Sequence, residues 1–259
     1  MPAFFAHYQF GEQVVANLDG ELKELILKHK KEFRIGLQGP DVFFFYRPWE
    51  KENDVVDYGK HLHETPARWM FQRGLQNGRH SAAYAYMLGV VCHLALDSTC
   101  HPYVDEFEKL EGVNHIEIES EFEKMLLRKS GKDPFTYRMD SLIPTDEETS
   151  VTLHEFYHVY SAAKFHFALR WMQNFRQLFT EKSPIRQGMI NGILTITGFS
   201  GFKGQMLQLK DNPLCEESNE KLYQLSIDAI PLAIELMKEL DECKLSGDPL
   251  GDKWDLTFA

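Results

Sequence analysis

His93, Asp97 and His101 stand four residues apart along an apolar run that begins at Ser81. In a helix, successive members of such a series fall about 40° apart, so all three face one side. His115 and Glu119 repeat the i, i+4 spacing on the next helical stretch, and His7, Asp41 and the pair His61 and His63 come earlier in the chain. Imidazole with carboxylate is the ligand set of zinc and similar divalent ions. Helical rise separates His93 from His101 by about 12 Å, too far for both to hold one tetrahedral ion comfortably. The spacing instead puts them on neighbouring ions, with the Asp97 carboxylate bridging on one side. A single histidine on an apolar helix is more often a hydrogen-bonded core residue, and His115 with Glu119 alone reads as an exposed ion pair or cap. Asp97 is harder to dismiss, because an ionised carboxylate on an apolar helix is costly unless it is paired or metal-bound. Two consecutive helices carrying the same donor chemistry favour a cluster of metals.

The elements that must position these residues are helical. Apolar residues recur at helical spacing and strand-like alternation is scarce, which predicts an all-α fold. Helices are expected at about 3–18 and 21–33, at 55–76 with a break near Pro66, and at 81–100 with Pro102 just past the end. Asn114 caps a helix reaching about Lys129. A loop of about a dozen residues starting at Ser130 is the candidate linker or lid. Long helices follow at about 147–179 and 218–244, the second bent at Pro231, with a Gly-rich segment at 198–204 between them. Val42–Tyr46 is a candidate short strand with no obvious partner. With no clear boundary, one domain is expected over 1–259, comprising a metal-site half at 1–130 and a helical C-terminal half at 147–245.

Composition bounds the function. The chain is 43% hydrophobic and 13% aromatic, which suits a packed globule. Its net charge of −11 argues against stable nucleic-acid binding and against anionic membranes. Bound cations would reverse the local field, so a phosphate-ester substrate is not excluded. No basic segment followed by an apolar run opens the chain, and no uncharged stretch of about 20 apolar residues occurs. Cys92, Cys100, Cys215 and Cys243 lack paired spacing, which predicts free thiols and a cytoplasmic location. Oligomeric state is left open.

The motifs Ala6-His7-Tyr8-Gln9-Phe10-Gly11, Gly39-Pro40-Asp41, His63, His93-x3-Asp97-x3-His101 and Asn114-His115-x3-Glu119 resemble the zinc-dependent phospholipase C family, related to the S1/P1 nucleases. The ordered match runs from residue 7 to residue 119, a little under half the chain. The resemblance implies a multi-helix phospholipase C/P1 nuclease-like fold and a cluster of two or three zinc ions, other divalent metals being possible, that hydrolyses phosphodiesters. It also implies ligand roles: Asp41, His63, His93 and Asp97 for one ion; His101, His115 and Glu119 for a second, with Asp41 bridging; His7 and Asp97 for a third. His63 is preferred to His61 for its setting, Leu62-His63-Glu64. Two departures stand out. The secreted members use a processed N-terminal tryptophan at the third site, which is lacking here, so that site is expected to be weak, differently completed or empty. The Asp97–His101 spacing is also shorter than theirs. Two adjacent cations would lower the pKa of a bridging water and clamp phosphoryl oxygens for in-line displacement, with Asp41 as the catalytic residue orienting or deprotonating that water. The expected substrate is a small phosphate ester or a phospholipid.

Other features compete. A non-catalytic metal-binding or lipid-sensing relative would carry the same motifs. His154-Glu155-Phe156-Tyr157-His158 is a literal HExxH, the zinc-peptidase signature, but no glycine turn or third ligand completes it. An HD-type phosphohydrolase is disfavoured because no His-Asp dipeptide occurs. Phe43, Phe44 and Phe45 suit core packing better than a lipid-tail pocket. Arg47, Lys60 and Arg68 read as surface charges with a possible phosphate role. Cys92 and Cys100 sit beside ligand histidines and so point elsewhere.

Overall fold

A computed structural model describes residues 4–77, 81–196 and 205–259. Among them are twelve α-helices and no strand: α1 (Phe4–Asn17), α2 (Gly20–Lys28), α3 (Lys30–Gly36), α4 (Asp54–Glu64), α5 (Arg68–Asn77), α6 (Ser81–Glu111), α7 (His115–Lys129), α8 (Glu147–Tyr157), α9 (Ala162–Phe179), α10 (Pro184–Ile196), α11 (Cys215–Asp228) and α12 (Ile230–Ser246). Short 3-10 turns occur at Gly39–Phe45, Met139–Leu142 and Asp252–Asp255. The all-α expectation holds.

The axis of the fold is α6. Every residue from Ala83 to Asp97 is buried, which only a helix surrounded on all sides can achieve. Helices α1, α3, α8, α11 and α12 pack around it. The closest approach is to α3, where Gly36 and Gly89 let the two backbones touch: a Cβ on Gly89 would run into the Phe33 carbonyl and sit 2.8 Å from Gly36 Cα. Contrary to expectation, α6 does not stop before Pro102 but runs through it for nine more residues. Pro102 removes one donor from the helix, and downstream burial of Val104 and Phe107 holds the remaining turns in place.

Elsewhere the boundaries shift for local reasons. The expected strand at Val42–Tyr46 is a 3-10 turn, because Gly39 turns the chain at φ 46°, Pro40 occupies the first turn, and no neighbouring strand is at hand among the described residues. The helix expected over 21–33 breaks at His29, with φ −116° and ψ 43°. The helix expected over 147–179 breaks at His158, whose left-handed φ of 54° ends α8. The helix expected over 218–244 breaks at Ala229 rather than bending, with Pro231 in the first turn of α12. Caps fall where polar residues offer them: Asn53 accepts from Val55 and Val56 N–H, Asn114 from Ile116 N–H and Asp146 from Thr149 N–H.

The stretch after Ser130 is tied down rather than free. Tyr137 packs edge-on to Phe5 at 5.6 Å, and the Gln173 amide donates to the Asp140 and Ile143 carbonyls. The Gly-rich segment at 198–204 lies outside the described residues. Helix α10 was not foreseen from the sequence. Neither was the last segment, where Trp254 is fully buried against Phe71 and residues 256–259 lie beside the end of α4, bonded to Ala67 and His63.

Because Gly89 has no room for a methyl group, Gly89→Ala should lower unfolding stability by about 1–3 kcal/mol. A urea melt showing no loss would refute the close α3–α6 approach.

Candidate metal centre

Five elements converge on one interior region. Helix α1 supplies His7, the turn Gly39–Phe45 supplies Asp41, α4 supplies His63, α6 supplies His93, Asp97 and His101, and α7 supplies His115 and Glu119. His63 and His115 are partly buried and the other six are buried. Asp97 lies at the middle. Its Oδ2 is 3.0 Å from His93 Nε2, and its Oδ1 is 3.3 Å from His7 Nε2 and 3.7 Å from His101 Nε2. Asp41 Oδ1 is 3.0 Å from His63 Nε2 and 3.8 Å from His93 Nε2. Glu119 Oε1 is 3.2 Å from the Nε2 atoms of both His101 and His115.

Ligand-capable atoms within 4.8 Å of one another form three inner groups: His7–His93–Asp97, Asp41–His63–His93, and His101–His115–Glu119. His93 is shared by two of them. Asp41 belongs to the His63–His93 group, and Asp97 to the His7–His93 group. His61 is in none of them; it is exposed, with its ring 6.0 Å from Trp69. A fourth, more exposed group adds Asp105 and Glu108 to His115.

The imidazoles are held by their far nitrogens. His63 Nδ1 is 2.7 Å from the Gly59 carbonyl, His93 Nδ1 is 2.9 Å from the Leu37 carbonyl and His101 Nδ1 is 2.7 Å from the Phe258 carbonyl. A carbonyl only accepts, so each Nδ1 must donate, which leaves Nε2 as the inward atom. His115 Nδ1 is 3.2 Å from the Asp105 carboxylate, a carboxylate–histidine pairing of the same kind. In the neutral form the inward Nε2 of His63, His93 and His101 is a lone pair facing carboxylate oxygen, an arrangement that is repulsive until a proton or a metal ion stands between.

The donor set fits divalent metal on several grounds. Asp41 Oδ2, His93 Nε2, Asp97 Oδ2 and His7 Nδ1 are buried without a hydrogen-bond partner. The 3.0 Å approach of His93 Nε2 to Asp97 Oδ2 is misaligned for a hydrogen bond, so proximity there does not satisfy either atom. A small void of ≈ 20 Å³ lies among His7, Asp97, His101 and Glu119, room for one small occupant. Orphaned buried polar atoms are rare in native proteins without an unseen ion or water.

In the absence of metal, protons fill the role. Burial would push Asp97 up, but His93, His101 and His7 outweigh it and hold it well below the usual carboxylate range. Burial likewise opposes the charged form of His101, yet Asp97 and Glu119 raise it to about 9. His7 moves the other way: burial, then the charge of His93 stacked on it at 4.1 Å, lowers it against the pull of Asp97.

A cleft of ≈ 280 Å³ opens from this region to solvent, bounded by Phe44, Lys60, His63, His101, His115 and Phe258, among others. Phe43 and Phe45 are core, whereas Phe44 turns outward with its ring 5.0 Å from His63. Of the three candidate phosphate-binding cations, only Lys60 lines the cleft. All three are paired: Arg47 with Glu50, Arg68 with Asp252 and Asp255, and Lys60 with Asp57 at 3.0 Å. Cys92 and Cys100 are buried free thiols. The rings of His154 and His158 stack at 5.6 Å, but among the described residues the HExxH motif forms no three-ligand group: α8 ends at Tyr157, leaving His158 exposed and in the left-handed conformation past the helix end.

Two contributors escaped the sequence reading. Asp105 continues the four-residue ladder of His93, Asp97 and His101, so its spacing was a usable signal. Phe258 acts through a backbone carbonyl and leaves no such signal.

The shifts carry a sign for stability of the metal-free chain. The raised His101 contributes stability that is complete below about 6.5 and lost as pH rises through about 9. The lowered Asp97 contributes stability present above the ordinary carboxylate range and lost only well below it. Metal-free protein should therefore melt at lower temperature at pH 9 than at pH 6.5, and zinc should close that gap by replacing the proton. A melting temperature that climbs from pH 6.5 to pH 9 without metal would contradict the assignment.

Neither a curated protein nor a solved structure matches the chain. The family model described as zinc dependent phospholipase C matches residues 6–171, a span that holds all eight residues from His7 to Glu119. With that match over more than half its length, the chain belongs to the zinc-dependent phospholipase C family.

Proposed function

We propose that the chain hydrolyses a small phosphodiester, a phospholipid or a related ester, in the cleft bounded by Phe44, Lys60, His63, His101, His115 and Phe258. Membership of the family makes it a metal-dependent phosphoric ester hydrolase; the substrate class and the residue roles are the inference. The observation that carries it is the convergence of three His/carboxylate groups, two of which reach an open cleft through His63, His101 and His115. Asp41, His63 and His93 would hold one ion, His101, His115 and Glu119 a second, and His7, His93 and Asp97 a third. Bound divalent cations supply Lewis acidity, making water nucleophilic near neutral pH and neutralising charge on phosphoryl oxygens.

The chain's own residues do the remaining work. Asp41 is fully buried and its Oδ2 has no hydrogen-bond partner, so it is free to orient the attacking water and accept its proton. Lys60, at the rim, is placed to draw in a phosphoryl oxygen as a point charge. Phe44 and Ile116 present an apolar wall that would take the uncharged part of an ester and exclude water from one side. The net charge of −11 favours small or zwitterionic esters over nucleic acid. Four buried free thiols fit a reducing compartment, and we place the protein in the cytoplasm on that ground. Among the described residues no helix is long and apolar enough to cross a membrane.

Hydrolysis of bis(p-nitrophenyl) phosphate and of short-chain phosphatidylcholine should be measurable with zinc and abolished by a chelator. Asp41→Asn should reduce kcat by about 10²–10⁴-fold when assayed at saturating zinc, where its weakened grip on the ion is compensated. Full activity in that variant would remove Asp41 from the mechanism, and no activity on any phosphodiester would leave a non-catalytic metal-binding relative. Glu155→Gln should leave hydrolysis unchanged; peptide cleavage abolished by it would revive the peptidase reading.

A further inference from the structure

Residues 256–259 lie beyond the segment matched by the family, yet their backbone is joined to the ligand network. Ala67 N–H donates to the Leu256 carbonyl at 2.9 Å, and Ala259 N–H donates to the His63 carbonyl at 3.1 Å. The Phe258 carbonyl accepts from His101 Nδ1 at 2.7 Å. The Phe258 side chain is fully buried, its ring 5.5 Å from that of His93 and 5.7 Å from that of His63. One short segment therefore touches three of the eight converging residues.

The position of this segment is set independently of any metal. Trp254, fully buried against Phe71, anchors the preceding turn, and Arg68 grips Asp252 and Asp255 at 3.0 and 2.8 Å. Of the other imidazoles, His63 uses the Gly59 carbonyl on its own helix, His115 the Asp105 carboxylate ten residues away, and His93 the Leu37 carbonyl that leaves α3. His101 reaches across 157 residues to a carbonyl that no earlier part of the chain provides. An imidazole without such a partner can present either nitrogen and turn about its last side-chain bond. A fixed acceptor at Nδ1 selects one tautomer and one ring orientation.

We propose that Phe258 is a positioning residue of the metal centre, its carbonyl fixing Nε2 of His101 toward Glu119 and Asp97 while its ring fills the space between His63 and His93. The inference rests on the reading that these groups hold metal. It predicts that metal affinity at the His101–His115–Glu119 group depends on a segment outside the matched region.

The test is titration with Co²⁺ alone, followed by visible absorption, of three chains: wild type, the chain ended after Thr257, and Phe258→Ala. The relevant site is the one abolished by His115→Ala. Ending the chain after Thr257 should weaken it about 10–100-fold, the usual consequence of losing an outer hydrogen-bond partner. Phe258→Ala keeps the carbonyl and should bind within a few-fold of wild type. Wild-type affinity in the shortened chain overturns the proposal. An equal loss in Phe258→Ala assigns the effect to the ring and overturns the role of the carbonyl. Should the shortened chain fail to fold, an ester in place of the Phe258–Ala259 amide keeps every side chain while weakening the carbonyl as an acceptor, and N-methylation of Ala259, which removes only the N–H bonded to the His63 carbonyl, is its control. Unchanged Co²⁺ binding in the ester chain is equally fatal. Absence of Co²⁺ binding in the wild type would instead overturn the metal reading itself, so the two failures are distinguishable.

Discussion

Asp97 is a carboxylate on the most enclosed helix of the fold, and burying its charge is the constraint around which the surrounding residues are arranged. An ionised carboxylate removed from water is tolerated only when opposite charge and hydrogen-bond donors replace the solvent. Here three imidazoles approach it, from α1 and from one turn above and below on α6. Each of those imidazoles has its own position to satisfy. His93 does so through Leu37, which ties α6 to the chain leaving α3, and His101 does so through Phe258, which ties α6 to the last residues. The glycine contact between α3 and α6 and the buried Trp254 anchor are thus parts of the same arrangement.

The same arrangement explains why the site is poised for cations rather than merely polar. Nδ1 donation to carbonyls directs the lone pairs of His63, His93 and His101 at carboxylate oxygens. Protons satisfy that geometry only by raising His101 and lowering Asp97 together, with buried atoms still left unpaired. A divalent ion satisfies several lone pairs at once and needs no donor from the protein. Ions held by these groups would concentrate positive charge beside the cleft and so reconcile the acidic surface with an anionic ester, with Lys60 as a cation at its rim.

Much of this was legible in local sequence. The spacing of His93, Asp97 and His101 puts three donors on one face whatever the tertiary structure, and the Asn114 cap placed the start of α7 correctly. What local pattern missed depends on tertiary partners. The apolar run at Val42–Tyr46 reads as a strand by composition, but a strand needs a neighbour, and Gly39 and Pro40 instead wind it into a turn that delivers Asp41. The 147–179 stretch keeps helical periodicity through a break at His158, because periodicity measures burial and not backbone continuity. The choice of His63 over His61 concerns which face of α4 looks inward, and there the Gly59 carbonyl, one turn away, holds the ring toward Asp41. Phe258 contributes a carbonyl that every residue possesses, so only the folded chain reveals it.

Anomalous diffraction at the zinc edge, from crystals grown without chelator, bears most directly on the role assigned to the converging side chains. Peaks are predicted between Asp41, His63 and His93 and between His101, His115 and Glu119, about 2.0–2.2 Å from their ligand atoms. Zinc confined to the outer group of Asp105, Glu108 and His115, or no peak among the buried groups after zinc is supplied, would contradict it.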